Sequence, residues 1–431
     1  MSTSPPRVAV IGGGLAGITA ALDCAEAGAQ VTLLERRSHL GGLTWSFRHH
    51  GAAGGRWVDN GQHVFLRCCS AYLGFLARIG SSSDVVLQDR LDMTVLGDSA
   101  SARLRRDDLP APLHLGRSLL GYRHLGIGDR LRIGLAALPL HYVDLSDPAL
   151  DRETFASWLG RHGQRPSSMA ALWDLIVVPT VNLPSDQASA AMGAKVFQTG
   201  LLRDAKAADI GWSGIPLGTL HGERSAKALE SAGVDVRLAE RVVSLQEAPV
   251  EEDGGGGKGP RPPWLIRAEA SELVADAVVV ALPPGPAGEV LPPDSYPRQA
   301  RLDELGSSPI VDVHVVFERK VTDWTFVAFL GKTAQWVFDR TASAGIGDGQ
   351  QYLAVSISSA AAQLGRHPDE ISEEVVGELR EKFPAARQVG VVDTLVTKER
   401  NATVALGPGT AALRPHARST RPGLALAGAW T

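Results

Sequence analysis

Cysteine is scarce in this 431-residue chain, which has three: Cys24, Cys68 and Cys69. Three cannot build a disulfide framework, so stability must come from a buried core, and the compartment reads as reducing. Neither sign of charge dominates. The 43 Lys and Arg against 47 Asp and Glu give a net charge of −4, which excludes the basic excess of a general nucleic-acid binder. No apolar run reaches the roughly 18 residues of a membrane span. The polar stretch Met1–Arg7 before the short run Val8–Ile11 carries no signal-peptide apolar segment. The 12 histidines show no metal-ligand spacing, and no Gly-x-Ser-x-Gly elbow or reactive-cysteine context occurs. Cys68-Cys69 reads as the start of a helix, and His49-His50 as part of a solvated glycine-rich loop. Global disorder is excluded too, because 44% of the residues are hydrophobic.

What is abundant is glycine, 47 residues, and the first of them carry a pattern. Val8-Ala-Val-Ile11 reads as a buried strand, Gly12-Gly-Gly-Leu-Ala-Gly17 as a turn, and Ile18–Ala27 as a helix. Gln30–Leu34 reads as a second strand closing on Glu35. Strand, glycine turn, helix, strand and acid form the dinucleotide-binding fingerprint. Gly12 permits the tight turn, Gly14 lets backbone approach a pyrophosphate, and Gly17 lets helix and strand pack closely. Phosphates then meet the N–H groups and positive dipole end of the helix. Glu35 can accept from ribose hydroxyls.

A second glycine pair, Gly41-Gly42, follows the acid closely. It suits FAD, whose length demands contacts beyond the first turn. The pair resembles the glycine motif of the FAD-dependent amine oxidase and phytoene desaturase superfamily, with Leu43 where that motif usually carries Arg. The expected fold is therefore α/β: a Rossmann-type FAD-binding domain with an inserted α+β substrate domain. The nucleotide domain is expected from residues 1–95, 216–300 and 395–431, and the substrate domain from 96–215 and 301–394. Asp235–Leu245 reads as one strand. Pro249–Pro263 is a low-complexity hairpin tip between two strand-like runs.

Further segments narrow the resemblance. Trp57-Val-Asp-Asn-Gly-Gln-His63, Tyr122-Arg-His-Leu125, Thr154-Phe-Ala-Ser-Trp-Leu159, Asn182-Leu-Pro184, Ser308-Pro-Ile-Val311, Gln335-Trp-Val-Phe-Asp-Arg340 and Leu426-Ala-Gly428 resemble the hydroxysqualene dehydroxylases. These are squalene-associated FAD-dependent desaturases. The resemblance spans the chain and implies FAD, a C30 polyprenyl substrate, and reductive dehydroxylation of hydroxysqualene to squalene in squalene and hopanoid synthesis. Neighbouring enzymes of that synthesis are the implied partners. The resemblance adds Leu15, Ala16, Arg36, Gly61, Gln62, Val242 and Gly428 to the cofactor contacts. A phytoene-type carotenoid desaturase is the alternative within the enzyme class, and an amine oxidase ranks third. Ala429 stands where the superfamily usually has Asp, and the chain stops at Thr431 before a helix that the resemblance implies. A truncated flavin-fold protein with a scaffold role is therefore the reading from another class.

The implied chemistry protonates an allylic hydroxyl and delivers hydride to the resulting cation. It needs an acid, an apolar tunnel that excludes water, and aromatic faces that tolerate positive charge. Trp173, Phe197, Trp212, Trp336 and Phe338 are the candidate tunnel aromatics. His63 suits acid work by its ordinary pKa; the competing reading is a loop histidine bonded to backbone. Asp312 and His314 share one face of the strand Ile310–Phe317, which meets either a cavity or solvent. Asp174 follows Trp173 in an apolar helix, as a raised-pKa acid or, as the preferred reading, a partner in a helix-to-loop salt bridge.

Leu113–Tyr142 reads as two helices. It carries Arg117, Arg123, Arg130 and Arg132 against one acid, Asp129, and Leu131, Leu135 and Leu138 recur at helical spacing. A basic amphipathic stretch is the mark of an interfacial element. The expected setting is the cytoplasm, with peripheral contact at the inner face of a membrane. The competing reading packs the stretch into the substrate domain.

Overall fold

The computed structural model describes residues 4–248, 262–347 and 349–431. Its organising element is a five-stranded parallel sheet. The spatial order is Asp235–Arg237, Gln30–Leu34, Arg7–Ile11, Ala277–Val280 and Leu424–Leu426. These strands come from segments far apart in the chain. The sheet is covered on both faces, as a parallel sheet requires. Val8 and Val10 point to one side, where Ile18, Ala21 and Leu22 of the helix Leu15–Glu26 meet them. Ala9 and Ile11 point to the other, against Trp264 and Ile266. Those two residues belong to a three-stranded antiparallel sheet of Val242–Glu247, Trp264–Ala268 and Glu272–Ala275.

A seven-stranded sheet forms the second body of β structure. Its order is Val391–Val404, Ser307–Phe317, Gln351–Ser358, Trp336–Asp339, Phe326–Phe329, Asp92–Leu96 and Ser101–Arg105. Period-2 alternation sends Val311, Val313, Val315 and Phe317 under the helix Pro368–Lys382, where Ile371, Val375 and Leu379 receive them. Asp312 and His314 project from the opposite face. A third layer is helical. Ile127–Tyr142, Phe155–Arg161, Asp174–Val181 and Ala190–Phe197 pack into one apolar cluster with the strands Asp92–Leu96 and Ser101–Arg105. The architecture is the expected α/β class with a Rossmann-type nucleotide unit.

Two local expectations are corrected. Asp235–Leu245 is not one strand. Ala239 takes φ +55°, a left-handed conformation that breaks the run. Residues 235–237 join the parallel sheet and 242–247 the antiparallel one. His49-His50 does not lie in a loop either, although His50 is exposed as expected. Ser46–Gly51 is a strand paired with Gly54–Asp59, and His49 Nε2 lies 3.4 Å from Asp393 Oδ2. Of the expected hairpin tip at Pro249–Pro263, residues 249–261 lie outside the described residues. The strands flanking it do pair antiparallel, Glu247 against Trp264.

Candidate active site

The glycine turn between the first strand and its helix is built by close approach. Gly12 has φ +109°, and a Cβ there would fall 2.5 Å from the Ala281 carbonyl oxygen. A Cβ on Gly17 would fall 1.8 Å from the Gly12 carbonyl oxygen, so only glycine lets the helix enter at this depth. Gly14 differs. It precedes the helix at φ −75°, and a Cβ there would meet nothing closer than Gly42 Cα at 4.0 Å. No side chain caps this 12-residue helix, so its first N–H groups stand ready for an anion. The second glycine pair is seated on the same turn. The Gly41 N–H donates to Gly13 O (2.9 Å), and Gly42 has φ +61° beside Gly14.

Glu35 ends the second strand and is buried. Its Oε2 accepts from the Gly13 N–H (2.6 Å) and its Oε1 from the Arg37 N–H (2.8 Å). A carboxylate has about four acceptor sites, so two remain for a ligand's hydroxyls. Arg36 points to solvent, while Arg37 donates to Gly42 O (2.9 Å) and braces the glycine pair. Val242 is buried with Ile11 and Leu34, behind the end of the parallel sheet. A cleft runs along the helix from Leu15 and Ala16 to Thr19. Tyr72, Phe75 and Ala427 also line it. Gly428, next to it, has its missing Cβ 3.0 Å from Trp430 Nε1.

A second group of polar residues gathers where the loop Asn60–His63 meets the seven-stranded sheet. The Gln62 N–H donates to Asp312 Oδ1 (3.2 Å). The Cβ that Gly61 lacks would fall 3.3 Å from Asp312 Oδ2 and 3.5 Å from His63 Cε1, so both side chains crowd that glycine. Asp312 is 2% exposed. Burial raises its pKa to about 7 against the opposing pull of the Gln62 N–H and Ser356, and neighbouring Asp59 adds to the rise. The His63 side chain is accessible, beside the buried Asp312. Its Nδ1–H donates to Gly61 O (2.7 Å), which leaves Nε2 free of that bond. Burial lowers its pKa, so near neutrality the ring is uncharged.

His314 is held at both ring nitrogens. Tyr352 Oη lies 2.6 Å from Nδ1 and Thr397 Oγ1 lies 3.3 Å from Nε2. Burial, with Arg56 nearby, lowers its pKa to about 3. It therefore lies on the buried face that the strand alternation allowed, as a bonded neutral group rather than on a solvated stripe. Asp59 and Arg340 form a buried ion pair under the same loop (3.0 Å). Asp59 Oδ1 also accepts from Ser46 Oγ and the Leu217 N–H. Sequence reasoning left two residues of this region out. Arg340 closes the Gln335–Arg340 segment but has no spacing that marks it as an ion-pair partner. His221 is buried, its Nε2 meets Tyr72 Oη (2.8 Å), and its Cβ lies near Gly41. Burial, with His63 nearby, lowers its pKa to about 4.

Asp174 is placed elsewhere. It opens the helix Asp174–Val181, its Oδ1 accepts from the Ser185 N–H (2.8 Å), and burial raises its pKa. The preferred helix-to-loop salt bridge is not formed: the carboxylate is tied to the loop by a backbone N–H, and no cation pairs with it among the described residues. It shares no hydrogen bond with Asp312 or His63 among the described residues. The five aromatics fall in one apolar cluster. Trp173 and Phe197 meet edge-on at 4.7 Å, Trp336 stacks on Phe338, and Trp212 meets Phe326.

Residues 15–431 match the family model described as flavin containing amine oxidoreductase. The chain belongs to that family, and it is an FAD-dependent oxidoreductase. It is 24% identical to hydroxysqualene dehydroxylase of Rhodopseudomonas palustris over 98% of this chain and 92% of that protein. It is also 24% identical to zeta-carotene desaturase of Arabidopsis thaliana over 99% of this chain and 81% of that protein. Cyclohexylamine oxidase of Brevibacterium oxydans has the same fold, with a TM-score of 0.65 and 18% identity over 98% of this chain and 93% of that one. FAD fits the residues present. The uncapped helix terminus and open Gly14 suit its diphosphate, and Glu35 keeps acceptor sites for its ribose.

Proposed function

We propose that this oxidoreductase removes the allylic hydroxyl of the C30 alcohol hydroxysqualene and releases squalene, in squalene and hopanoid synthesis. The observation that carries the reading is Asp312, a buried carboxyl with a pKa near 7 beside the Gly61–His63 loop. Such a group is still protonated in about half of the molecules at neutrality and can give that proton to a hydroxyl that must leave as water. The reduced flavin, when bound, supplies hydride. Alcohol, proton and hydride together give hydrocarbon and water, so the atoms balance. His63 stays neutral and presents Nε2 as an acceptor that orients the hydroxyl. The half-buried rings of Trp212 and Trp336 offer π faces to developing positive charge. The apolar cluster around them excludes the water that would recapture the cation. The likeness to the Rhodopseudomonas protein supports the same reading.

A carotenoid desaturase is the second reading, favoured by the equal identity to zeta-carotene desaturase. Anaerobic mixing separates the two. Photoreduced enzyme with hydroxysqualene should regain the oxidised flavin spectrum as squalene forms one-to-one. Flavin that stays reduced with hydroxysqualene, yet is reduced from the oxidised form by phytoene or zeta-carotene, would move the assignment to desaturation.

A further inference from the structure

The helix Ile127–Tyr142 has two apolar faces, and only one is buried. Ile133, Ala136 and Leu140 enter the core. Ile127, Leu131, Leu135, Leu138 and Tyr142 lie on the opposite side, within an arc of about 80° at 3.6 residues per turn. Every one of them is exposed: Leu131 by 57%, Leu135 by 68% and Leu138 by 56%. Gly134, at the edge of that arc, is exposed as well. The neighbouring helix Gly116–Leu120 packs against this one and adds Leu120, and the turn before it adds Leu113. Among the described residues thirteen large apolar side chains are exposed, and eight of them fall between positions 109 and 142. Apolar exposure gathered in this way marks an interaction surface.

Its charge identifies the occupant. Between residues 109 and 142 there is one acid, Asp129, in a chain of net charge −4. Asp129 is turned inward to Arg132 and Arg165. Arg130 is also occupied, donating to the carbonyls of Leu120 and Leu125. Arg117 and Arg123 are exposed and make no ion pair among the described residues. Within residues 109–142 the surface is thus an apolar stripe with two free guanidinium groups and no outward acid, with exposed Asp108 and Asp144 at its ends. A second copy docked on it would bring like charges together, whereas an anionic lipid surface complements both features.

We infer that this face docks onto the headgroup region of an anionic bilayer, lying in its plane. The inference rests on the surface alone and holds whichever isoprenoid the enzyme takes. The test is co-sedimentation with vesicles of phosphatidylcholine containing phosphatidylglycerol. Wild type is compared with a Leu131→Ser, Leu135→Ser, Leu138→Ser variant and with an Arg117→Gln, Arg123→Gln variant. The serine variant should lose roughly tenfold or more of its partitioning, and the glutamine variant should match wild type at high salt but fall below it at low salt. Because these side chains are exposed, both variants should keep the wild-type circular dichroism and flavin content. A Leu135→Trp variant supplies a second readout: its emission should be quenched by brominated acyl chains. Equal partitioning of wild type and serine variant, or no quenching at position 135, overturns the inference. So does a wild-type dimer that becomes monomeric in the serine variant without any vesicle binding, which would assign the face to a second copy.

Discussion

Asp312 illustrates how a single residue's surroundings set its chemistry. A carboxyl with a usual pKa of 3.8 is pushed to about 7 because burial removes the water that would solvate its anion. The folded chain then binds this proton more tightly than the unfolded chain. The stability contributed by Asp312 therefore falls as pH rises from about 4 to about 7, and stays low above that. Asp312→Asn removes the titration. Its unfolding free energy should gain on the wild type as pH is raised from 5 to 8, by on the order of a few kcal/mol by linkage, as read in denaturant titrations at the two pH values. The same substitution should slow single-turnover oxidation of the reduced flavin by roughly a hundredfold or more, the range of general acid catalysis. The wild-type rate should decline above about pH 7 and the residual rate of the variant should not. A variant whose rate keeps the wild-type pH profile would remove Asp312 from proton donation.

At the scale of the element, two glycines of one turn are there for different reasons. Gly17 is demanded by protein, since its Cβ would collide with the Gly12 carbonyl. Gly14 is not, since its backbone is ordinary and its Cβ would meet nothing closer than Gly42 Cα at 4.0 Å. That position lies at the helix terminus, where a diphosphate needs the backbone within hydrogen-bonding reach. Gly14→Ala should leave the melting temperature of the apoprotein unchanged and lower flavin retention, read as the ratio of flavin to protein absorbance. Gly17→Ala should lower both, because the helix must move off the sheet. Loss of apoprotein stability in Gly14→Ala would show that this position is packed and not reserved for a ligand.

Across the whole molecule, the loop that carries His63 is tied to the seven-stranded sheet by the Asp59–Arg340 pair. Arg340 also donates to Ser213 O, so three distant segments meet on one guanidinium. Removing one partner of a buried pair leaves a charge uncompensated, at a cost of about 3–5 kcal/mol. Arg340→Met should lower stability by that amount in denaturant titration. Asp59→Asn combined with it should cost less than the sum of the singles, since the stranded charge is gone. Additive losses would mean that the two residues act separately.

The pattern of the first fifty residues was enough, by itself, to determine the opening strand, glycine turn, helix and second strand of the nucleotide unit; the other three strands of its sheet come from distant segments. Strand, turn, helix and strand are neighbours in sequence, and Gly17 acts on Gly12 within the same turn, although the Ala281 carbonyl that crowds Gly12 comes from 269 positions away. Period 2 likewise placed Asp312 and His314 on one face of their strand from local geometry alone. What local geometry does not contain is what covers a face. The packing of Asn60–His63 against that strand, 250 positions away, decides that Asp312 is buried and that its proton is held to about pH 7. Arg340 and His221 gained their partners the same way, across 281 and 149 positions. The leucines of the helix Ile127–Tyr142 show the reverse case. Their spacing reads equally as core or as surface, because both demand one apolar stripe. Only the tertiary fold decided it, by filling the core from Ile133, Ala136 and Leu140 and leaving Leu131, Leu135 and Leu138 outside.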